Sequence, residues 1–332
     1  MLRDEDECRT PAKGSAEKMQ ALVTGCAGFI GSQLTDALLA SGRRVRGVDA
    51  FTDYYDPARK RRNVAGALAS DRFELVEADL CTTDIVELLD DVDVVFHLAG
   101  QPGVRVSWSD GFPLYVAQNV LATQRLLEAT REHSVARLVY ASSSSIYGNA
   151  PRFPVTEADL PRPHSPYGVT KLAAEHLCSL YAENWALPTV SLRYFSVYGP
   201  RQRPDMGFAR FFDAALAGKP LPIFGSGNQI RDFTYSGDVV AATIAAGVAD
   251  VEPGTVCNVA GGSSISVRQL IPLLAEIVGT DVAVEHLAAQ PGDVDRTGGS
   301  IERARALLGW EPRVSLQEGL SAQFAWLGSL AG

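Results

Sequence analysis

The segment ALVTGCAGFIGSQLTDALLASG, residues 21–42, constrains the fold more than any other part of the chain. ALVTG reads as a buried strand. SQLTDALLASG follows as a helix, with Leu34, Leu38 and Leu39 on one face and Gly42 as its stop. Between them lie Gly25, Gly28 and Gly31, spaced GxxGxxG. At a strand–turn–helix junction the first glycine permits the tight turn. The second lets the backbone approach a pyrophosphate, and the third lets the helix lie close to the strand. The helix start then presents free N–H groups and a favourable dipole to an anion. Asp49 closes the next strand, 24 residues after Gly25. A carboxylate there accepts from the ribose hydroxyls of an adenosine and repels a 2′-phosphate, so the expected ligand is NAD and not NADP.

Further runs repeat the pattern. RVRGVD (44–49), FELVEAD (73–79), VDVVFHLAG (92–100), ARLVYAS (136–142) and PTVSLRY (188–194) are continuous rather than alternating, as strands buried on both faces are. Helical patterns separate them, among them NVLATQRLLEATREH (119–133) and VTKLAAEHLCSLYAENW (169–185). Alternating strands and helices without a repeat period predict an α/β fold with a doubly wound parallel sheet. After about residue 195, proline and glycine become frequent and the strand rhythm breaks. The expected organisation is a tail over 1–18, a dinucleotide-binding domain over 19–195, and a smaller mixed α/β substrate domain over 196–330. Residues 232–260 are expected to return to the first domain, because DFTYSGDVVAATIAAGV reads as core.

A formal charge of −9 argues against general affinity for nucleic acid or anionic membranes. An anionic substrate would need a local cluster of arginines. No run of about 18 apolar residues is present to span a membrane, and the charged opening segment lacks the apolar core of a secretory signal. Five cysteines without a CxxC fit reduced thiols in the cytoplasm, and neither they nor the histidines have metal-ligand spacing, so no metal is expected. His97 ends a buried strand and reads as a core residue.

In SPYGVTK (165–171), Tyr167 and Lys171 share one helix face. An ammonium near a phenol favours the phenolate, which makes Tyr167 a usable base. Upstream, ASSSSIYG (141–148) ends the fifth strand, and the C-terminal edge of a parallel sheet is where ligands bind. Hydroxyls there can bond a substrate alcohol or carbonyl.

These residues resemble the extended short-chain dehydrogenase/reductases that act on nucleotide sugars, a Rossmann-type family. The resemblance runs through TGCAGFIGS, VDAF, ADL, HLAGQ, ASSSSIYG, SPYGVTK, RYFSVYGPRQRP and RDFTYSGD. It implies NAD contacts from Gly25, Gly28, Phe29, Ile30, Gly31 and Asp49. Asp79 and Leu80 are expected on the adenine side, and Leu98, Ala99 and Gln101 on the nicotinamide side. It implies Ser143 as the catalytic hydroxyl, Tyr167 as base and Lys171 as its partner, the last two also touching the cofactor. For the nucleotide it implies Arg231, Arg296 and Arg210 near the pyrophosphate, Asp293 at the ribose and PLPIFG (220–225) beside the uracil. The family also implies a homodimer through a four-helix bundle. Helices near 112–133 and 167–185 would build it, with Leu121, Leu126, Leu127, Leu172, Leu177 and Leu180 as apolar stripes.

Family members share oxidation of the sugar at C4 and differ in the fate of the keto sugar. Dehydratases carry Thr-Asp-Glu, and glucuronate decarboxylases a Glu, where this chain has Ser143, Ser144 and Ser145. Without those acids, 4-epimerisation is the expected reaction. FTDYYDPARKRRN (51–63) and RYFSVYGPRQRPDM (193–206) resemble UDP-glucuronate 4-epimerases. A sugar carboxylate calls for an arginine and hydroxyl donors. Ser143, Ser144, Ser145 and Ser196 are therefore expected to line the sugar with Arg203 near the carboxylate. Arg201, in the same segment, is also expected close to the sugar, and Arg105 is another possible partner of the carboxylate. The alternatives are a UDP-glucose/UDP-galactose 4-epimerase, a UDP-glucuronate decarboxylase, or a non-catalytic NAD sensor.

Overall fold

The computed structural model describes residues 19–330, so the expected tail lies outside the described residues. Seven parallel strands form the central sheet. They are β1 (Gln20–Thr24), β2 (Arg44–Asp49), β3 (Phe73–Glu77), β4 (Val94–His97), β5 (Arg137–Ser143), β6 (Thr189–Tyr194) and, much later in the chain, β11 (Thr255–Val259). Their order is β11-β6-β5-β4-β1-β2-β3. The chain reverses its direction of build-up between β1 and β4, so a crevice opens above the C-terminal ends of these two strands. Three short two-stranded sheets make up the rest: β7 (Val197–Tyr198) with β10 (Thr234–Tyr235), β9 (Ile230–Asp232) with β12 (Ser264–Ser266), and β8 (Leu221–Phe224) with β13 (Val284–Leu287).

Helices cover both faces. They run α1 (Phe29–Ala40), α2 (Pro57–Val64), α3 (Phe112–Tyr115), α4 (Ala122–Arg131), α5 (Pro166–Trp185), α6 (Gly207–Leu216), α7 (Ser236–Val248), α8 (Val267–Val278), α9 (Glu302–Leu308) and α10 (Leu316–Gly328). Leu34, Leu38, Val94, Phe96, Val239 and Ala246 pack on one face of the sheet, and Leu22, Val95, Leu126, Leu127, Ala174 and Cys178 on the other. A third apolar cluster, with Phe208, Phe212, Leu270 and Leu320, belongs to the later segments. The continuous apolar strands thus sit between two cores, which is why they lack alternation. α7 packs along α1, and β11 extends the sheet beside β6.

Local chemistry explains the elements that matter most. α5 begins at Ser165, whose hydroxyl accepts from the Gly168 N–H, with Pro166 at the first helical position. A six-residue π-helix, Val116–Leu121, joins α3 to α4. The helix expected near 112–133 therefore carries a widened turn in its middle. β4 is shorter than VDVVFHLAG suggested. It ends at His97, and Leu98 to Gln101 leave the sheet and turn into the crevice. Of the six leucines expected either to form apolar stripes or to cover the sheet, Leu126 and Leu127 are fully buried in the core, while Leu121 and Leu180 are exposed.

Candidate active site

Two adjoining cavities occupy the crevice. The first is lined by Gly25, Gly28, Phe29, Ile30, Gly31, Asp49, Asp79, Leu80, Leu98, Ala99, Gln101, Tyr167 and Lys171, which is the full set expected to hold the dinucleotide. Gly25 has φ +70°, and a Cβ there would stand 2.8 Å from the Ala99 nitrogen. A Cβ on Gly31 would stand 2.1 Å from the Gly25 carbonyl oxygen, so helix and strand could not meet with any side chain between them. α1 starts at Gly28 with no side-chain cap and no acid in its first turn, which leaves its N–H groups for an anion. These features fit NAD. Gly25, Gly28 and the start of α1 would hold its pyrophosphate, and Asp49 and Asp79 its adenosine.

The two acids are already tied in place. The Asp49 carboxylate accepts from Ala27 N–H at 3.1 Å and Phe51 N–H at 2.8 Å, and Lys60 Nζ lies 3.6 Å away. Asp79 accepts from Cys81 N–H at 2.8 Å and from the Gln118 side chain at 3.0 Å. Lys60, Tyr54, Tyr55 and Gln118 all line the cavity and escaped the sequence reading. Tyr54, Tyr55 and Lys60 lie within FTDYYDPARKRRN, where helical spacing could have flagged Lys60. Gln118 depends on the π-helix, which no periodicity signals.

The second cavity is lined by Ser143, Ser144, Ser145, Ser196, Arg203, Arg210, Arg231 and Asp293, and by Pro222, Ile223 and Phe224 of β8. Ser143 Oγ donates to Ser145 Oγ and accepts from Ser145 N–H, both at 3.1 Å, which fixes the serine turn. Ser196 has φ +23°, a strained value of the kind held at ligand sites. Arg203 gives Nε and Nη2 to the two oxygens of Asp205 at 3.0 Å each, and Tyr54 donates to the same carboxylate at 3.3 Å. Arg105 donates to Asp293 at 3.0 Å and stacks on Phe224 at 3.9 Å. Arg105 lines the second cavity from this position. Arg210 faces the same Phe224 ring at 5.1 Å.

Two arginines stand elsewhere than expected. Arg296 is exposed and outside both cavities, with its guanidinium 4.8 Å from the Phe153 ring. Asp293, three residues earlier in the same loop, and Arg231 on β9 line the second cavity. Arg201 pairs with Asp36 on α1 at 2.7 Å and lines neither cavity.

Tyr167 lines both cavities, with its ring edge-on to Tyr115 at 6.2 Å. Burial pushes its phenol up, while the Ser143 hydroxyl and then the Arg203 guanidinium pull it back. Lys171 lines the first cavity together with Tyr167. Lys171 itself is buried, 4.8 Å from the Tyr140 ring, and burial lowers its pKa to about 8 against the pull of Cys178 and Glu175.

The NAD dependent epimerase/dehydratase family matches residues 21–260. The chain belongs to that family. Its fold is similar to the crystal structure of a UDP-glucuronic acid 4-epimerase from Bacillus cereus in complex with UDP-glucuronic acid and NAD. The two share 44% identity at a TM-score of 0.91, over 94% of this chain and all of that one, 100%. A Bacillus subtilis (strain 168) protein described as an uncharacterized UDP-glucose epimerase is 43% identical, over 94% of this chain and 99% of that relative. A UDP-glucuronate 4-epimerase of Thermodesulfobacterium geofontis (strain OPF15) is 38% identical, over 92% and 95%.

Proposed function

We propose that this epimerase-family chain converts UDP-glucuronate to UDP-galacturonate by NAD-dependent 4-epimerisation. The observation that carries the reading is Arg203. Among the described residues it is the one basic side chain lining both cavities, beside Tyr167 and the serine turn. A cation there suits a carboxylate on the sugar next to the reacting carbon. When bound, NAD supplies a reversible hydride acceptor for the sugar C4. Tyr167 takes the proton of the 4-hydroxyl and returns it to the same oxygen once the keto sugar has turned its other face toward the cofactor, so that C4 is inverted. Ser143 bonds the same oxygen, and Ser144, Ser145 and Ser196 hold the ring hydroxyls. Lys171 keeps a buried positive charge on the cofactor side. Arg231, Arg210 and Asp293 hold the nucleotide, with Phe224 and β8 along the uracil.

The keto form of glucuronate is a β-keto acid, prone to lose CO₂ when its carboxylate aligns with the carbonyl π system. Arg203 and neutral hydroxyls hold the carboxylate off that alignment, which favours epimerisation over decarboxylation. Incubation with UDP-glucuronate and NAD, read by NMR, tests this. UDP-galacturonate without CO₂ is expected, and a UDP-pentose as main product overturns it. A second reading, UDP-glucose/UDP-galactose epimerisation, is favoured by the occupied Nε and Nη2 of Arg203, which Asp205 already holds.

Residues 19–195 with 232–260 are assigned to the cofactor, and the remainder of 196–330 mainly to the UDP-sugar. The exposed Leu114, Leu121, Val169, Leu180 and Trp185, on α3 to α5, are assigned to a homodimeric four-helix bundle. The free thiols of Cys26, Cys81, Cys178 and Cys257 fit a cytoplasmic enzyme. No described helix is long and apolar enough to cross a membrane.

A further inference from the structure

His97 is fully buried, makes no contact with either cavity and has no part in the reaction above. Its two ring nitrogens nonetheless sit in a chain of hydrogen bonds that can be read proton by proton. Nδ1 lies 2.8 Å from Thr24 Oγ1, and Nε2 lies 3.0 Å from Thr123 Oγ1. Each threonine hydroxyl has one proton. Thr123 donates its own to the Asn119 carbonyl at 2.7 Å, so at His97 it accepts, and Nε2 carries the hydrogen. Nδ1 then accepts from Thr24, whose oxygen in turn accepts from the Ala99 N–H at 3.1 Å. Every donor and acceptor is used once. The opposite tautomer leaves the Thr24 proton without an acceptor among the described residues and breaks the bond to Asn119. An imidazolium strands the same proton.

The chain continues beyond the threonines. The Asn119 side chain accepts from Gln101 N–H at 2.7 Å and donates to the Gln101 carbonyl at 3.1 Å and to Thr170 Oγ1 at 3.0 Å. Thr170 donates to the Tyr167 carbonyl at 2.9 Å. Asn119 belongs to the π-helical turn, whose neighbouring Gln118 reaches Asp79. One polar path therefore runs from the end of β1, through the imidazole and the widened turn, to the turn of α5 that carries Tyr167 and Lys171. A π-helical turn is a marginal structure held by its surroundings, and here the imidazole is the rigid piece between it and the sheet.

We propose that His97 is a positioning residue, a neutral Nε2–H imidazole that sets the spacing between the cofactor wall at Leu98 to Gln101 and the π-helical turn, and through it Tyr167. The proposal rests on the assigned roles of that wall and of Tyr167, but its first readout is independent of any substrate. No carboxylate contacts the ring, and burial followed by the Lys171 charge lowers its pKa to about 3, so the network stays fixed across the working pH range.

The experiment has two arms. In wild-type protein labelled with ¹⁵N histidine, two-bond ¹H–¹⁵N spectra should give His97 the Nε2–H pattern, unchanged between about pH 5 and 9. An Nδ1–H pattern, or titration within that range, overturns the proposal. In the second arm His97→Phe fills the space without hydrogen bonds, and His97→Asn keeps an acceptor on the Thr24 side. We expect His97→Phe to lower kcat and weaken the NAD Kd by calorimetry about tenfold each, the weight of one buried hydrogen bond, with His97→Asn between it and wild type. KM for the UDP-sugar should stay within about twofold, since no nucleotide-side group touches the path. A purely structural histidine would lower the melting temperature and leave kcat and the NAD Kd unchanged, and that result would also overturn the proposal. Should the enzyme prove to act on a different UDP-sugar, the tautomer and the NAD Kd still decide the matter.

Discussion

Replacing Arg203 by Gln separates its two roles. Its guanidinium sits beside Tyr167 and favours the phenolate, an effect any substrate of the enzyme would feel. It also offers a charged donor to a sugar carboxylate, which only a uronate would feel. Hydrogen bonds to charged groups contribute about 1.5–3 kcal/mol and neutral ones about 0.5–1.5 kcal/mol. Loss of Arg203 should therefore cost about 10- to 150-fold in kcat/KM for UDP-glucuronate. For UDP-glucose, whose C6 hydroxyl is neutral, the same loss should cost about 2- to 10-fold. The Tyr167 effect cancels in the ratio of the two substrates, which should move toward UDP-glucose by about 5- to 15-fold where the two hydrogen bonds lie at the same end of their ranges. Steady-state kcat/KM for both sugars, or the inhibition constant of UDP-glucose if its turnover is too slow, gives that ratio. The pH profile isolates the other role. Without the cation the phenol pKa rises, so the acid limb of kcat should move to higher pH for both substrates. Equal losses for the two sugars at every pH would refute the pairing of Arg203 with a carboxylate and favour the UDP-glucose reading. Asp205 supplies an internal control: Asp205→Asn frees the guanidinium and should tighten UDP-glucuronate but not UDP-glucose.

Tyr167→Phe keeps the edge contact with Tyr115 and removes the proton acceptor, so kcat should fall by about 10²- to 10⁴-fold with little change in KM. Arg296→Ala should leave KM for the UDP-sugar unchanged, because its guanidinium stacks on Phe153 outside the cleft, whereas Arg231→Ala should raise it. Leu180→Glu places a charge on the exposed face of α5 and should give a monomer by light scattering at micromolar concentration, and an unchanged oligomer would remove that face from the interface. The folded pKa of His97 lies below its unfolded value of about 6.5, so the unfolded chain binds the extra proton between pH 6.5 and about 3. Stability contributed by the neutral ring is thus present above pH 6.5 and is lost by about 1.4 kcal/mol per unit as pH falls. His97→Asn should lack that slope in urea unfolding, and parallel wild-type and variant curves would count against a buried neutral imidazole.

The dinucleotide cradle was legible because its constraints are local. Strand, glycine spacing and terminal acid all lie within one β-α-β unit, and all the residues expected there line one cavity. Parallel strands read as unbroken apolar runs for the same physical reason. The substrate side was less legible because its side chains come from loops whose direction depends on distant packing. Arg201 and Arg203 are two residues apart, yet positive φ at Arg201 turns its side chain to Asp36 on α1 while Arg203 enters the cleft. Asp293 lines the cleft while Arg296, three residues on, lies outside it. The π-helix could not be read at all, since the heptad-like spacing of NVLATQRLLEA fits an ordinary helix. Burial also raises the Tyr167 phenol, with Ser143 and Arg203 pulling against it, and only the folded site shows those two contributions.

The acids of the cleft bear on which reaction the site can run. Among the described lining residues they are Asp49, Asp79, Asp205 and Asp293. Asp49 and Asp79 are hydrogen-bonded to backbone N–H groups on the cofactor side, Asp205 is paired with Arg203, and Asp293 with Arg105. None is left to eliminate water or to deliver a proton to a carbanion. Epimerisation needs neither. It is nearly its own reverse, so the group that takes the proton from the 4-oxygen must give it back to that oxygen, in either configuration of C4, with comparable ease. A carboxylate with an ordinary pKa would be a weak base for an alcohol, whereas a phenol is closer to the alcohol in basicity and exchanges the proton both ways. Ser143 and Arg203 offset part of the burial that raises the Tyr167 phenol. A cleft with one phenol, neutral hydroxyls around it and every acid occupied is suited to a reaction that ends with the proton back on the same oxygen.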